Sequence, residues 1–400
     1  MFKATYFKNI NFRFIILGIP NVLNILLPIL IIPIVVNLSG IEEFGRVIFF
    51  QGILGLSLIF SENALNTITL ADLNNENKSV LVSHTILSKL FLSSLILIFS
   101  LVFIPKEDVL LFLALNLFAI GQALNISFLY IYLKKEIIYS IIQLCIKVTA
   151  FLIFYISFKG NILYYALFIG LTELIIGFST IIFSGKFREI ISQKLKFRMI
   201  KDLWKRGFQI TKITLLSAGY TNMVSIIIKF FYSYEVVGVY GAIEKIYRGL
   251  SNISAPFSLL LLGEGKFKTV SDLLKLKEVK QFLVLFFIVI INLFFLGEIL
   301  LTYMLPNLTF KEYSLAYKIS LLIPFIVLFS RIYMVNFFIK NNLEKHLFPL
   351  YLSLFVIAMP TLFLLIYVLG GVIGAVIGVF IIELICLFKL INSWKNHRQD

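Results

Sequence analysis

From Trp204 to Gly263 the chain reads WKRGFQITKITLLSAGYTNMVSIIIKFFYSYEVVGVYGAIEKIYRGLSNISAPFSLLLLG. A basic segment leads into an apolar stretch, a short turn at 233–238 reverses the chain, and a second apolar stretch returns. The returning stretch carries Glu244, Lys245 and Arg248 in otherwise hydrocarbon-compatible sequence. Charges within membrane segments are costly and are a default sign of a functional site. The pattern predicts two consecutive membrane spans, the second of which holds charges for a functional reason.

A shorter copy of this pattern lies about 193 positions earlier in the chain. Residues 37–50 read NLSGIEEFGRVIFF, with Glu42 and Gly45 at the places of Glu235 and Gly238. The echo indicates that the protein consists of two copies of one design.

The composition predicts a polytopic membrane protein. Apolar residues make up 60% of the 400 residues, charged residues 14%, and the mean hydropathy is +0.98. An ordinary globular domain is about 45–50% apolar and about 25% charged. We expect an all-α fold, because a helix pairs every backbone polar group within its own segment. No room is left for a sizeable soluble domain, so the function must be carried out within or across the bilayer.

Twelve apolar stretches of roughly the length needed to span a bilayer follow one another. They are 13–36, 45–70, 81–104, 109–133, 139–158, 162–184, 207–232, 239–263, 281–304, 315–339, 347–369 and 372–391. The division between the last two, at Gly370 and Gly371, is the shortest.

The basic residues between the spans predict the orientation in the membrane. Twenty-three lie on one side and only Lys106, Lys159 and Lys311 on the other. By the positive-inside rule the basic side is cytoplasmic, and an even number of spans places both termini there. Orientation therefore explains the net charge of +15 better than nucleic-acid binding does.

The segment 185–206 divides the spans into two equal sets. It carries eight basic residues with apolar residues at roughly helical spacing, which favours an amphipathic helix on the anionic inner leaflet. We therefore expect a six-helix bundle at 1–184, a cytoplasmic linker at 185–206 and a second six-helix bundle at 207–400. Since six is even, the two bundles should be related by a pseudo-two-fold axis along the membrane normal.

The predicted spans hold more basic than acidic residues. Those near span ends have a bland interpretation, because long cationic side chains reach the headgroups by snorkelling. Lys147, Lys245, Arg248 and Arg331 lie deeper. The ten basic residues are Arg46, Lys89, Lys147, Lys212, Lys229, Lys245, Arg248, Lys318, Arg331 and Lys389, and the five acidic ones are Glu62, Glu173, Glu244, Glu298 and Glu383.

Two interpretations of these deep charges remain open. In one, Glu244 and Arg248 neutralise each other four residues apart, and Glu62, Glu173 and Glu383 each pair with a lysine of another helix. In the other, the charges line a water-filled cavity in which a phosphate-bearing ligand meets net positive charge. Arginine offers a planar fork to phosphate oxygens, and lysine offers a point charge.

Motifs typical of enzymes do not occur in the sequence. His84, His346 and His397 are far apart, Cys145 and Cys386 fall in apolar stretches, and none has metal-ligand spacing. There is no phosphate-binding glycine loop and no nucleophile elbow. We therefore expect a protein that is not an enzyme and has no metal site or cofactor.

The chain resembles the polysaccharide-export flippases of the multidrug/oligosaccharidyl-lipid/polysaccharide (MOP) superfamily, and in particular the O-antigen, or Wzx-type, flippases. The resemblance covers the twelve-span layout, the proline-bearing first span, the two short turns and the start of the eighth span. Its residues here are Glu42, Gly45, Glu235, Gly238, Tyr240 and Lys245.

This resemblance implies a function and a site. It implies that an undecaprenyl-pyrophosphate-linked oligosaccharide moves from the inner to the outer leaflet of a bacterial inner membrane by alternating access. A cationic cavity of Lys147, Lys245, Arg248 and Arg331 would meet the pyrophosphate. Any coupled proton or sodium ion would bind Glu62, Glu173 or Glu383, and a polysaccharide polymerase and a chain-length regulator are possible partners.

Two other classes of function remain as alternatives. An ion-coupled drug or cation exporter of the same superfamily should have a cavity of net negative charge, contrary to the surplus of basic residues. A membrane polymerase or acyltransferase should have long catalytic loops outside the membrane or a histidine-based site, and the sequence has neither.

Overall fold

The computed structural model describes residues 23–24, 26–59, 64–73, 78–185, 187–191, 196–263, 276–306, 310–338, 343 and 346–397. Helices make up nearly all of these ranges, and no strand occurs within them. In chain order the helices are α1 Leu26–Ser39, α2 Ile41–Leu58, α3 Ala64–Asp72, α4 Lys78–Leu101, α5 Val109–Leu124, α6 Ser127–Tyr132, α7 Glu136–Ser157, α8 Ile162–Phe183, α9 Phe187–Ile191, α10 Phe197–Phe231, α11 Tyr234–Gly263, α12 Lys277–Phe295, α13 Gly297–Met304, α14 Phe310–Ser320, α15 Ile323–Ile332, α16 Leu347–Leu369 and α17 Gly371–His397.

The helices confirm the predicted all-α membrane fold. Eight helical stretches in the described ranges are long and apolar enough to cross a membrane, and a ninth arises if the bent pair Val279–Phe295 and Gly297–Met304 forms one span. Large apolar side chains cover their outer faces, and Ile156 is 81% exposed. Soluble monomers rarely expose such extended apolar surface, whereas lipid covers it.

Three of the twelve predicted spans fall outside this set. The first is only partly described, and the second is divided into α2 and α3. The eighth corresponds to α11, whose first half carries Glu235, Glu244, Lys245 and Arg248. These breaks and charges shorten the continuous apolar length, so the number twelve remains a prediction.

The last two spans are separate helices, as predicted from sequence. Helix α16 ends at Leu369, and α17 begins at Gly371. Between them Gly370 has φ +89°, a backbone conformation that glycine adopts without the steric cost of a side chain. One residue is therefore enough to end one span and begin the next.

The chain forms two compact units. One contains Arg46–Ile226, and the other contains Asn24–Gly45 together with the residues from Ile227 on. These boundaries differ from the predicted ones because they lie inside α2 and α10, which are continuous helices, instead of in the polar linker. The predicted halves 1–184 and 207–400 remain a prediction about the internal repeat.

The linker segment is helical, but it is not one independent surface helix. It contains α9, and its second part forms the first turns of α10, which runs without a break to Phe231. No proline occurs in the 35 residues of α10, and Gly207 alone does not end a helix. The basic segment is therefore rigidly connected to the seventh predicted span.

In the second unit, the two copies of the sequence motif contact each other where α2 crosses α11. Gly45 faces the carbonyl of Tyr234, and a Cβ at Gly45 would overlap that oxygen. Reciprocally, a Cβ at Gly238 would lie 2.5 Å from the carbonyl oxygen of Ile41. Ile41 and Tyr234 each precede their glycine by four residues, so the contact has local two-fold symmetry. The sequence echo thus marks a backbone-to-backbone crossing.

Candidate functional site

The charges predicted in α11 lie together in the second unit. Arg248 Nη2 and Glu244 Oε1 form an ion pair of 2.8 Å, and the Arg248 side chain remains 35% exposed. Tyr240 and Tyr247 extend this network along the same helix, with their hydroxyl oxygens 2.9 Å apart. The neutralisation that the sequence left open is therefore present, but the guanidinium retains an accessible surface.

Lys245 lies beside this ion pair. It is half-buried, and it interacts electrostatically with both Glu244 and Arg248. One residue corresponds to about 100° around a helix, so Lys245 points away from Glu244 although the two are adjacent in sequence. One acidic and two basic side chains thus occupy consecutive turns of α11.

Arg331 reaches the same part of α11 from α15. Its Nη1 donates a hydrogen bond of 2.7 Å to the backbone carbonyl of Ser251, whose hydroxyl in turn donates to the carbonyl of Tyr247. Ser251 follows Arg248 by three residues, which places the two positions on one face of the helix. A π-helical turn begins two residues after Arg331, and such turns are frequent at functional sites.

Glu383 and Tyr351 complete the surroundings of Arg331. Both interact with it electrostatically, Glu383 from α17 and Tyr351 from α16. The hydroxyl of Tyr351 also donates to Met334 Sδ at 3.4 Å. The second unit therefore brings together Lys245, Arg248 and Arg331 with Glu244 and Glu383, a set of three basic and two acidic side chains with net positive charge.

Lys147 and Glu173 belong to the first unit, where they pair with each other. Lys147 Nζ and Glu173 Oε1 are 3.2 Å apart, and both side chains are almost fully buried. Gln122 Nε2 donates to the other carboxylate oxygen at 3.0 Å. The close crossing of α5 and α8 at Gly121 places Gln122 beside Glu173. For Glu173, the interpretation as the partner of a lysine from another helix is confirmed.

This buried pair leads to a prediction about stability. The variant Lys147→Met should be destabilised by about 3–5 kcal/mol, because it leaves the Glu173 carboxylate buried without its cation. The double variant K147M/E173Q should recover much of this loss, since it contains neither charge. Unfolding midpoints of the purified proteins measure both effects, with Lys159→Met at an exposed position as the control. Equal midpoints for Lys147→Met and Lys159→Met would show that the pair contributes no stability.

Lys89 is a buried cation that the sequence did not single out as a site residue. Its side chain is fully buried, and its Nζ donates to Asn66 Oδ1 at 3.2 Å and to the backbone carbonyl of Asn125 at 3.1 Å. Asn125 lies in the break between α5 and α6, where a carbonyl is free of the helical ladder. A lysine opposite a break in an apolar helix is the signal that would have indicated this contact.

Other basic residues near span ends have specific partners as well. Arg46 pairs with Asp108. Lys229 and Lys318 lie over the rings of Tyr234 and Phe294, and Lys389 donates to Ser353 Oγ at 2.6 Å. Snorkelling alone therefore does not describe these side chains. Glu62 lies outside the described residues.

The sequence matches no protein-family model and no curated protein sequence. Three solved structures are similar in fold. The lipid II flippase MurJ in an inward closed conformation has a TM-score of 0.66 at 15% identity, covering 95% of this chain and 87% of that chain. An inward-facing multidrug resistance MATE family transporter of the MOP superfamily has a TM-score of 0.62 at 12% identity, with 96% of each chain covered. The Vibrio cholerae MATE transporter VcmN has 0.53 at 12%, with 97% and 98% covered. The chain therefore has the all-α membrane fold of these transporters.

Proposed function

We propose that this chain is a transporter of the MOP superfamily that moves a lipid-linked oligosaccharide across a membrane. The substrate class is an undecaprenyl-pyrophosphate-linked repeat unit, such as that of O-antigen. It passes from the inner to the outer leaflet of a bacterial inner membrane, and both termini of the protein are cytoplasmic. The similarity in fold to a lipid II flippase over most of both chains supports this class.

The observation that carries the proposal is the convergence of Arg248 and Arg331 on one turn of α11. Bringing charges into hydrocarbon has a high free-energy cost, and three basic groups near only two acids need a reason. A pyrophosphate supplies that reason, because guanidinium groups bind phosphate oxygens with paired, charge-assisted hydrogen bonds. Lys245 adds a point charge to the same site. The prenyl chain stays in lipid while the head group meets these residues.

Lys147 takes part through its pairing with Glu173. While Glu173 is ionised, Lys147 is neutralised and has no free charge for an anion. If Glu173 takes up a proton, its attraction for the ammonium group falls and Lys147 becomes available. Glu383 has the same relation to Arg331. Coupling to a proton or sodium ion at these carboxylates, or at Glu62, would link an ion gradient to substrate affinity, and alternating access would follow from rocking of one bundle against the other.

An ion-coupled drug or cation exporter is the second candidate, because two of the structures with similar folds are MATE transporters. An exporter of cations should hold its substrate with surplus acidic groups. The cluster at α11 has surplus basic groups instead, which favours an anionic head group.

Complementation distinguishes the two candidates. The chain is expressed in a bacterium that lacks its own O-antigen flippase, and the lipid-linked unit is followed by leaflet with an impermeant label. The proposal predicts restored surface polysaccharide and restored outer-leaflet signal, with drug susceptibility unchanged. A strain that becomes drug-resistant and shows no surface polysaccharide would support the exporter. Co-expression of the matching polymerase and chain-length regulator in the same strain controls for partners.

A further inference from the structure

The first unit contains a groove near the start of α10 that is separate from the charged residues described above. The groove lies between this helix and α3 and α4, and its volume is about 450 Å³. Its walls are largely apolar, with lysines as the charged lining residues. The lining includes Leu65, Leu92, Trp204 and Phe208, together with Lys201 and Lys205.

The two lysines are exposed, and neither forms an ion pair or a hydrogen bond within the described part of the chain. The neighbouring Arg206 differs, since its Nη2 lies 2.7 Å from Asp72 Oδ2. Lys201 and Lys205 follow each other at i and i+4, so they lie on one side of α10. They form a pair of available positive charges at an apolar groove.

A second, more polar cavity adjoins this groove at Lys205. It has a volume of about 360 Å³, and Asp202 and Arg206 are among its lining residues. Lys205 lines both cavities. From one side of Lys205 to the other, the surface thus changes from apolar to one with a hydrogen-bond acceptor.

This order of chemistry matches an anionic phospholipid with a hydroxylated head group. One acyl chain would occupy the apolar groove, the phosphate would lie at Lys201 and Lys205, and head-group hydroxyls would donate to Asp202. Trp204 fits the same depth, because tryptophan concentrates at the membrane interface. Basic residues beside a membrane span attract the anionic lipids of the cytoplasmic leaflet.

We propose that this groove is a binding site for one anionic phospholipid with a polyol head group, such as phosphatidylglycerol. The transported substrate is a less suitable occupant, because its pyrophosphate is assigned to Lys245, Arg248 and Arg331 in the other unit. The site fixes the start of α10 at the membrane surface. It does not depend on which substrate the protein transports.

Native mass spectrometry of the purified full-length protein tests the site. Dioleoyl phosphatidylglycerol should bind more tightly than dioleoyl phosphatidylcholine, which has the same chains. The double variant K201Q/K205Q should bind phosphatidylglycerol about 30-fold more weakly, from the attraction of two lysines for an anionic lipid. The matched control K134Q/K135Q also removes two exposed lysines, which lie outside the groove, and should bind as the wild type does.

Two further ligands make the result decisive. Glycerophosphoglycerol, the head group without chains, should not compete with the lipid, because it leaves the apolar groove empty. Undecaprenyl phosphate should not displace phosphatidylglycerol. The proposal is overturned if phosphatidylcholine binds equally well, if K201Q/K205Q behaves as K134Q/K135Q does, or if either of these two ligands displaces the lipid.

Discussion

A side chain added at Gly45 will separate α2 from α11 and abolish export. In the Gly45→Ala variant the new Cβ overlaps the carbonyl oxygen of Tyr234 and lies 2.9 Å from the backbone nitrogen of Gly238. Both neighbours are backbone atoms, so they cannot move aside as a flexible side chain would. We expect a loss of about 1–3 kcal/mol in unfolding free energy for alanine and a larger loss for valine. Unfolding midpoints and surface polysaccharide at matched protein levels measure the two effects.

The symmetry of the crossing supplies a second variant and a control. Gly238→Ala should have a similar effect, because its Cβ would meet the carbonyl oxygen of Ile41. Gly219→Ala in α10 should be harmless or stabilising, since its Cβ would lie 3.4 Å from the nearest atom, Leu215 Cδ1, and alanine favours helix more than glycine does. If Gly45→Ala and Gly219→Ala behave alike, the close crossing is not needed for stability or export.

Removing the charge of Arg331 should reduce export about 30- to 100-fold, with little change in the amount of folded protein. This range corresponds to the loss of one hydrogen-bonded contact to a charged group, about 2–3 kcal/mol. Arg331→Lys should retain part of the activity, because it keeps the charge but loses the planar fork. Lys245→Ala should reduce export as well, and Lys245→Arg should largely preserve it.

Lys389→Gln serves as the matched control, since Lys389 is exposed and donates only to Ser353 among the printed side-chain contacts of α17. A structural role for Arg331 would lower the unfolding midpoint of Arg331→Gln and Arg331→Lys together with export. A role in binding lowers export while the midpoint of Arg331→Lys stays near the wild-type value. Full export by both Arg331→Gln and Lys245→Ala would remove these residues from the mechanism.

Much of the fold could be predicted because lipid imposes a simple rule on sequence. Long apolar stretches must be helical, and each of the twelve predicted spans overlaps a helix. The continuation of α10 through the basic segment was missed, since polarity was taken to mark the end of a span. Residues 197–206 are polar but contain no helix breaker, so the helix begins at Phe197.

The partners of the buried charges were harder to predict. Glu173 and Lys147 lie 26 positions apart on different helices, and a sequence offers several lysines as equal candidates. Arg331 bonds a backbone carbonyl, an acceptor that every residue has and that sequence therefore does not distinguish. The repeat of Gly45 and Gly238 was visible in the sequence, but their mutual contact depends on how α2 crosses α11.

Reconstitution in vesicles tests most directly whether the basic cluster of α11 and α15 moves a pyrophosphate-bearing lipid. A fluorescent undecaprenyl-pyrophosphate-linked oligosaccharide is placed in the inner leaflet, and its arrival outside is followed with an impermeant quencher. The wild type should transfer it rapidly, whereas a double variant with Lys245→Ala and Arg331→Gln should be no faster than protein-free vesicles. Transfer by that variant at the wild-type rate would contradict the account.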